Sequence, residues 1–253
     1  MHQFPFSFAV SKFLITTGWN QNGYPRDSRI LDLSIKGGSN CNDWAEFPKD
    51  VVGATGGVIQ DVVVICGGGD PSSEFNKCYS LNGQAATPIT HMSTKRQYAA
   101  SLVIDKTKLW ITGGLNLASS EYITLEGIEP GPELPTIIDS HALVAMDNTL
   151  SMLIGGSTNG YDATKKTHYF DHQSHNWIQG PDMMQARWGH AAGIVTDQVT
   201  NEELVIVTGG ICNGIFLDST EMLFNKQWSW GKMAHSFKIL YARKKSDIIC
   251  TIT

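Results

Sequence analysis

The sequence predicts a single all-β domain, residues 1–253, made of repeated four-stranded antiparallel sheets. Three observations predict this fold class. Five short apolar runs each end in a Gly-Gly or Thr-Gly doublet, the doublets recur at intervals of 42 to 54 residues, and further strand-like runs follow in a constant order. With 253 residues, 42% of them apolar, the chain is long enough to bury a large core.

The doublets mark the second strand of each repeated unit. An apolar run that neighbouring sheets cover on both faces is continuously hydrophobic, without polar alternation. Glycine suits a strand end where another backbone approaches closely. The units are centred near residues 18, 67, 113, 155 and 209. The five runs are FLITTGWN (13–20), VVVICGGG (62–69), LWITGGLN (109–116), SMLIGGST (151–158) and LVIVTGG (204–210).

The other strands of each unit are in phase with the doublets. A Gly-Pro pair, a loop and a histidine precede the first strand in two units, as GPELPTIIDSH (131–141) and GPDMMQARWGH (180–190). After the doublet come a polar loop, a third strand, a turn and a fourth strand. The third strands are 119–125, 166–171 and 219–224, and the fourth strands lie within NWIQGP (176–181) and QWSWG (227–231).

This pattern resembles the kelch repeat over roughly residues 10 to 232. Units of that family have about 50 residues. They end the second strand in Gly-Gly, carry a Tyr-Asp-like pair in the third strand and place a Trp shortly after it. The matching residues are Tyr79, Tyr122, Tyr169, Phe170, Asp171, Trp177 and Trp228, with Trp44 in a looser setting.

The resemblance implies a kelch-type β-propeller, whose blades pack face to face around an axis. The doublets would lie with positive φ where blades approach, and Trp177 and Trp228 would fill the gap between blades. Residues 232–253 form a partial or divergent last unit. The ring is then either five-bladed with an extra tail or an incomplete six-bladed ring, which we favour. A fragment or decayed duplicate without independent function is a further alternative.

Charge and composition exclude several classes of partner. The formal net charge is -5, and the longest block of basic residues is 243–245, so nucleic acid is not an expected partner. No apolar run approaches the roughly 18 residues that span a membrane. The absence of an Asn-x-Ser/Thr sequon favours a cytoplasmic protein or an unglycosylated secreted one.

The segment HYFDHQSH contains four residues of metal-ligating types, His168, Asp171, His172 and His175. It covers the third strand of the fourth unit and the turn that follows. His168 and His172 would share a strand face, whereas the turn displaces His175. Because zinc needs four converging ligands, we interpret the segment as a solvated hairpin end and expect neither a metal nor a cofactor.

No catalytic residue is predicted. His141 and His190 occupy the same repeat phase, which favours a hydrogen-bonded core residue over a catalytic base. GGGDPSS (67–73) is followed by neither a helix nor Gly-Lys-Ser/Thr, so a phosphate loop is not expected. A copper radical enzyme of the galactose-oxidase type shares this kind of repeat. An enzyme or small-ligand site at the axis is therefore the alternative function.

Five cysteines leave at least one thiol unpaired. Cys66 and Cys78 lie twelve residues apart on the second and third strands of one unit, which could place them opposite one another. A disulfide requires β-carbons within about 4 Å, and otherwise the pair would be buried thiols. The remaining cysteines are Cys41, Cys212 and Cys250.

We expect function in the loops that follow the doublets, because loops on a rigid scaffold carry binding sites. Their aromatic and polar composition is typical of protein-binding surfaces. The sequence therefore predicts a non-catalytic, adaptor-like module that binds another protein. The loops are 19–27, 70–76, 157–164 and 211–218; the candidate anchors are Tyr24, Tyr161 and Phe216, and the candidate carboxylate partners are Arg26, Arg96 and Arg187.

Overall fold

The computed structural model describes residues 51–70, 72–81, 85–196 and 202–231, together with the strand backbone at 6–8, 12–16, 28–32 and 42–43. All regular secondary structure in these ranges is β-strand. Among these residues there is no helix of the length and hydropathy needed to cross a bilayer. The predicted all-β class is confirmed for this part of the chain.

The strands form five antiparallel sheets in chain order, each built on a meander of four strands, and one of them carries a fifth short strand. The first sheet consists of β1 (Phe6–Phe8), β2 (Lys12–Thr16), β3 (Ser28–Asp32) and β4 (Asn42–Asp43). The second consists of β5 (Val52–Ile59), β6 (Val62–Asp70), β8 (Lys77–Leu81) and β9 (Ala86–His91), with the short β7 (Ser73–Glu74) paired to the end of β6.

The remaining three sheets repeat the same order. The third consists of β10 (Ala100–Ile104), β11 (Lys108–Thr112), β12 (Ser120–Ile123) and β13 (Ile128–Pro130). The fourth consists of β14 (Ala142–Ala145), β15 (Leu150–Ile154), β16 (Thr167–Asp171) and β17 (Asn176–Gln179). The fifth consists of β18 (Ala191–Thr196), β19 (Glu203–Thr208), β22 (Thr220–Phe224) and β23 (Gln227–Trp230), with a separate hairpin of β20 (Ile211–Cys212) and β21 (Ile215–Phe216).

The described residues belong to two compact units. Those of the first unit lie within 1–111 and 121–130, and those of the second within 112–120 and 131–231. In each unit, buried side chains of one sheet pack on those of the next sheet in the chain. In the first unit Ile59 and Val64 pack with Leu109, Ile111 and Ile123. In the second unit, side chains of β15 pack with those of β19 and β22; they are Met152, Ile154, Val205, Val207 and Leu223.

A disulfide joins the middle strands of the second sheet. Cys66 on β6 lies directly opposite Cys78 on β8, and the two sulfur atoms are bonded. Both residues are buried in the core that the second sheet shares with the third. The alternative that the sequence left open is therefore resolved as a bonded pair. Cys212 is a partly exposed free thiol, and Cys41 and Cys250 lie outside the described residues.

The glycine doublets lie where one sheet meets the loop that leads into the next. Both glycines of the fourth-sheet doublet have positive φ, 55° at Gly155 and 107° at Gly156. In three of the doublets the second glycine donates its backbone N–H to a carbonyl of that loop, Gly68 to Arg96, Gly114 to Ile138 and Gly156 to Arg187, at 2.7 to 3.0 Å. The prediction of a close approach is confirmed for these doublets, while the doublet at residue 17 lies outside the described residues.

The two predicted tryptophans occupy equivalent places in the second unit. The indole N–H of Trp177 donates to the Glu133 carbonyl at 2.8 Å, and that of Trp228 donates to the Pro181 carbonyl at 2.9 Å. Each acceptor belongs to the Gly-Pro loop that leads into the sheet containing that tryptophan. Each ring also packs against a buried cluster that includes Leu153 or Val205. Trp228 therefore packs in a cluster shared by the fourth and fifth sheets, as predicted, whereas Trp177 packs between its own sheet and the loops around residues 118 and 134–138.

Candidate binding surface

The loop between β15 and β16 holds Tyr161 away from the protein. Ser157, at the start of the loop, pairs with Asp139 and Ala163. The Asn159 side-chain oxygen accepts the backbone N–H groups of Tyr161 and Asp162, at 3.0 and 2.8 Å. This Asx turn fixes the backbone at the tip of the loop. Tyr161 lies at that tip and is 82% exposed.

The loop between β19 and β22 is the equivalent loop of the fifth sheet, and it contains a small hairpin. Ile211 forms a bridge with Trp188 at its base, and β20 pairs with β21. The tip exposes Ile215 by 67% and Phe216 by 59%. Two predicted anchors, Tyr161 and Phe216, are therefore on the surface as expected.

Exposed apolar side chains of the second unit are concentrated in the loops at one end of the strands. In an antiparallel meander, the loop between the second and third strands lies at the same end of the strands as the loop that enters the first strand. Nine large hydrophobic side chains are exposed among the described residues, and five of them belong to these two kinds of loop. These five are Ile137, Tyr161, Met184, Ile215 and Phe216.

Arg96 is not a surface residue, so its predicted role as a carboxylate partner for another protein is wrong. The residue is 1% exposed. Its Nε and Nη2 atoms donate to Glu121 Oε1 at 3.1 and 2.8 Å. Glu121 also accepts the backbone N–H groups of Ser93 and Thr94, at 2.7 and 3.3 Å. The arginine therefore fixes its own loop to the third sheet.

Arg187 makes the equivalent contact in the second unit, so the same correction applies. The residue is fully buried, and its Nη2 donates to Glu221 Oε1 at 2.7 Å. Glu221 accepts the backbone N–H groups of Met184 and Gln185, at 2.7 and 3.1 Å. In each case a loop that enters the first strand is held to the third strand of the same sheet. The other predicted residues, Tyr24 and Arg26, lie outside the described residues.

The environment of Glu121 keeps its carboxylate ionised. Burial alone would raise the pKa of Glu121, but the Ser93 N–H and the Arg96 guanidinium stabilise the anion more strongly. The pKa of Glu121 therefore lies below its ordinary value. A buried carboxylate of this kind needs its arginine, because an unpaired charge in the interior is costly.

His141 and His190 lie between glycine doublets of successive sheets. A Cβ added at Gly155 would lie 2.7 Å from His190 Cε1, and one added at Gly156 would lie 2.7 Å from His141 Cβ. His141 Nε2 hydrogen-bonds Thr112 Oγ1 at 2.8 Å, as expected for a core histidine. Backbone groups of Ile154 and Arg187 face the His190 ring without the geometry of a hydrogen bond.

Both histidines are neutral at physiological pH. Burial lowers the pKa of His141 to about 3. Burial, and then the nearby positive charge of Arg187, lowers the pKa of His190 to about 3 as well. These values favour a packing role over a general base, whose pKa lies near the working pH.

The HYFDHQSH segment is a hairpin end. The Asp171 carboxylate accepts the backbone N–H groups of Gln173 and Ser174 and so closes the turn from β16 to β17. His172 Nε2 hydrogen-bonds Ser151 Oγ at 2.7 Å, and its ring meets Phe170 edge-on. Across the ranges that the structure describes, no three His, Cys, Asp or Glu side chains are grouped so that they could hold a metal ion.

No protein-family model matches the sequence, and no curated protein matches it. Solved structures do share its fold. One of them, described as the structure of YjhT, superposes with a TM-score of 0.74 at 15% sequence identity, over 90% of this chain and 84% of that one. At this identity the likeness concerns the fold alone, and it is consistent with a propeller-like arrangement of four-stranded sheets.

Proposed function

We propose that the chain is a kelch-type β-propeller with five full blades and a partial sixth within residues 1–253, an incomplete six-bladed ring. The support is the repeated unit itself. Five meanders of four strands recur at the spacing of that family. Glycine doublets end the second strands, and tryptophans of the fourth strands pack on the preceding loop.

We propose further that this propeller is a non-catalytic module that binds another protein through the loops after the doublets. The observation that carries the proposal is the exposure of Tyr161, Ile215 and Phe216 on loops whose backbones are already fixed. Aromatic side chains are enriched among the residues that dominate binding energy. Their low conformational entropy on a fixed loop reduces the entropic cost of association.

A comparative pull-down tests this role. The full chain, the double variant Tyr161→Ala/Phe216→Ala and the control Ile178→Ala/Trp230→Ala are used as bait in parallel. The control removes two large exposed side chains of the fourth strands, which are 54% and 48% exposed. We expect a partner captured by the wild type and the control to be lost with the loop variant. Equal capture by all three baits would contradict the proposal.

Metal analysis of the purified protein separates this proposal from the galactose-oxidase-type alternative. A binding module needs no bound copper or zinc, so we expect less than stoichiometric metal. Stoichiometric copper or zinc that survives dialysis would support an enzyme site at the axis instead.

A further inference from the structure

A groove opens on the second sheet, in the first unit. Residues directly opposite in an antiparallel pair share a face, so Tyr79 lies on the same face as its partner Ile65. Lys77, two residues earlier on β8, lies on that face too. Val51 and Ile65 belong to the buried cluster on this face. On this face of β6 and β8, buried aliphatic side chains therefore lie next to the charged Lys77 and the aromatic Tyr79.

The groove has an apolar floor and a polar rim. Its volume is about 220 Å³. Val51 and Ile65 contribute to the floor, Phe75 and Tyr79 provide aromatic rings, and Lys77 and Lys95 line it as well. Because drug-sized ligands occupy about 300–1,000 Å³, the groove fits a smaller molecule or a single side chain.

The wall of the groove is held in place by hydrogen bonds of the loop. The Phe75 N–H donates to the Gly68 carbonyl at 2.7 Å. Asn76 and Met92 form a reciprocal pair, since the Met92 N–H donates to the Asn76 carbonyl and the Asn76 side-chain amide donates to the Met92 carbonyl. A ligand would meet a preformed wall and would not have to order this loop.

The charges on the rim are not used by the fold. The ammonium groups of Lys77 and Lys95 and the phenol of Tyr79 form no hydrogen bond or ion pair within the part of the chain that the structure describes. Glu74 lines the groove as well, which leaves an excess of one positive charge in a protein whose net charge is -5. A local charge opposite to the molecular net charge, beside aromatic rings, favours an anion with an apolar body.

We propose that this groove binds a small organic anion, with the anionic group at Lys77 and Lys95 and an apolar or aromatic body against Phe75 and Tyr79. The ammonium groups supply point charges on flexible stems, and the Tyr79 hydroxyl is a further donor. The groove includes Phe75 and Asn76 of loop 70–76, which is one of the loops after the doublets. The protein-binding proposal depends instead on Tyr161 and Phe216 of the second unit, so the two experiments test different residues and either proposal can fail without the other. The same chemistry is offered by a free small molecule or by the carboxylate at the end of a peptide.

A titration with benzoate followed by NMR tests the site. Backbone amide shifts are recorded for the full chain with sodium benzoate and, as the matched control, with benzamide, which has nearly the same shape but no charge. We expect saturable shifts at Phe75, Asn76 and Tyr79 with benzoate and about tenfold weaker binding of benzamide. A peptide that ends in a free phenylalanine carboxylate is compared with its C-terminal amide, and tenfold tighter binding than benzoate would identify a chain terminus as the source of the anion.

Lysine variants connect the binding to the groove. We expect Lys77→Ala/Lys95→Ala to weaken benzoate binding about tenfold, because each exposed ion pair contributes a few-fold. Lys165→Ala removes an exposed lysine of the second unit and is expected to leave the affinity unchanged. Lys77→Gln/Lys95→Gln serves if the alanine variant does not fold. Absent saturable shifts, equal binding of benzamide or an unchanged affinity of the lysine variants would each overturn the proposal.

Discussion

Arg96 and Arg187 show how a single residue type ties the repeated unit together. Each arginine lies in the loop before the first strand and forms an ion pair with a glutamate near the start of the third strand, Glu121 or Glu221. Both pairs are almost completely buried. Removing charges from water is expensive, so each pair is balanced only while both partners and the backbone N–H donors remain.

Removing one arginine should therefore destabilise the protein far more than breaking a surface pair. We expect Arg187→Met to lower the free energy of unfolding by about 3–5 kcal/mol, because the buried Glu221 carboxylate loses its cation. The matched control is Lys108→Met, whose pair with Glu129 is 38% and 52% exposed and contributes about 0.5 kcal/mol. Urea unfolding measures both, and similar losses for the two variants would show that the buried pair has no special role.

The two buried histidines give the protein a predictable sensitivity to acid. In the folded state the pKa values of His141 and His190 lie at about 3, whereas an unfolded histidine titrates near 6.5. Below pH 6.5 the unfolded chain therefore binds more protons than the folded one. Stability is complete above pH 6.5 and is lost progressively as the pH falls towards about 3.

We expect the free energy of unfolding to fall by about 2 kcal/mol per histidine between pH 7.5 and 5.0. This window lies above the ordinary range of carboxylates, so the lowered pKa of Glu121 does not contribute to it. Urea midpoints at several pH values are measured for the wild type, for His190→Gln and for His175→Asn, an exposed control. His190→Gln should flatten the slope and His175→Asn should not. An unchanged slope in His190→Gln would mean that this histidine is not held neutral.

At the scale of the element, the glycine doublet is a joint between a strand end and the next sheet's entry loop. Gly155 has a φ of 55°, and a Cβ there would lie 2.7 Å from both the Arg187 carbonyl oxygen and His190 Cε1. Relaxation is restricted because the Arg187 carbonyl belongs to the backbone and the His190 ring is buried. The doublet therefore allows successive sheets to pack closely, and it recurs because each sheet meets the next entry loop in the same way.

Three glycine substitutions separate packing from backbone strain. We expect Gly155→Ala to cost about 3 kcal/mol, as the sum of positive φ and overpacking. Gly160→Ala, at a φ of 83° with no atom within 4 Å, should cost about 1 kcal/mol from the backbone alone. Gly193 has neither a positive φ nor a near neighbour, so Gly193→Ala should be close to neutral. Thermal or urea unfolding gives the order, and equal costs for Gly155 and Gly160 would contradict the close approach.

The sequence predicted what repeats and missed what depends on long-range packing. The doublets, the strand order and the positions of Trp177 and Trp228 follow from short periodic patterns. The Arg–Glu pairs do not, because their partners lie 25 or 34 residues apart and arginine is usually a surface residue. A signal did exist: each arginine lies four residues before the start of its first strand, and each glutamate is the second residue of its third strand. The groove could not be predicted, since its volume depends on side-chain packing.

At the scale of the whole molecule, the fold tolerates extensive change in sequence. A TM-score of 0.74 is maintained with YjhT at 15% identity. The features that recur within this chain suggest why. Strand spacing, the apolar second strand and the glycine joint each act locally between one sheet and the next, so few individual side chains have to be kept. Binding loops can then vary without loss of the framework.

The proposed incomplete ring makes a prediction that a closed five-bladed ring does not. In an array of stacked sheets with open ends, a sheet near the end loses protection before one packed on both faces. The fourth sheet contributes Leu153 to one buried cluster and Met152 and Ile154 to another, so both of its faces are covered. We expect amides of β15 and β16 to stay protected from hydrogen exchange at urea concentrations that expose β22 and β23. Mass spectrometry of peptides from these strands measures the difference. A ring closed by five blades would expose all of them in one transition, and that result would overturn the six-bladed assignment.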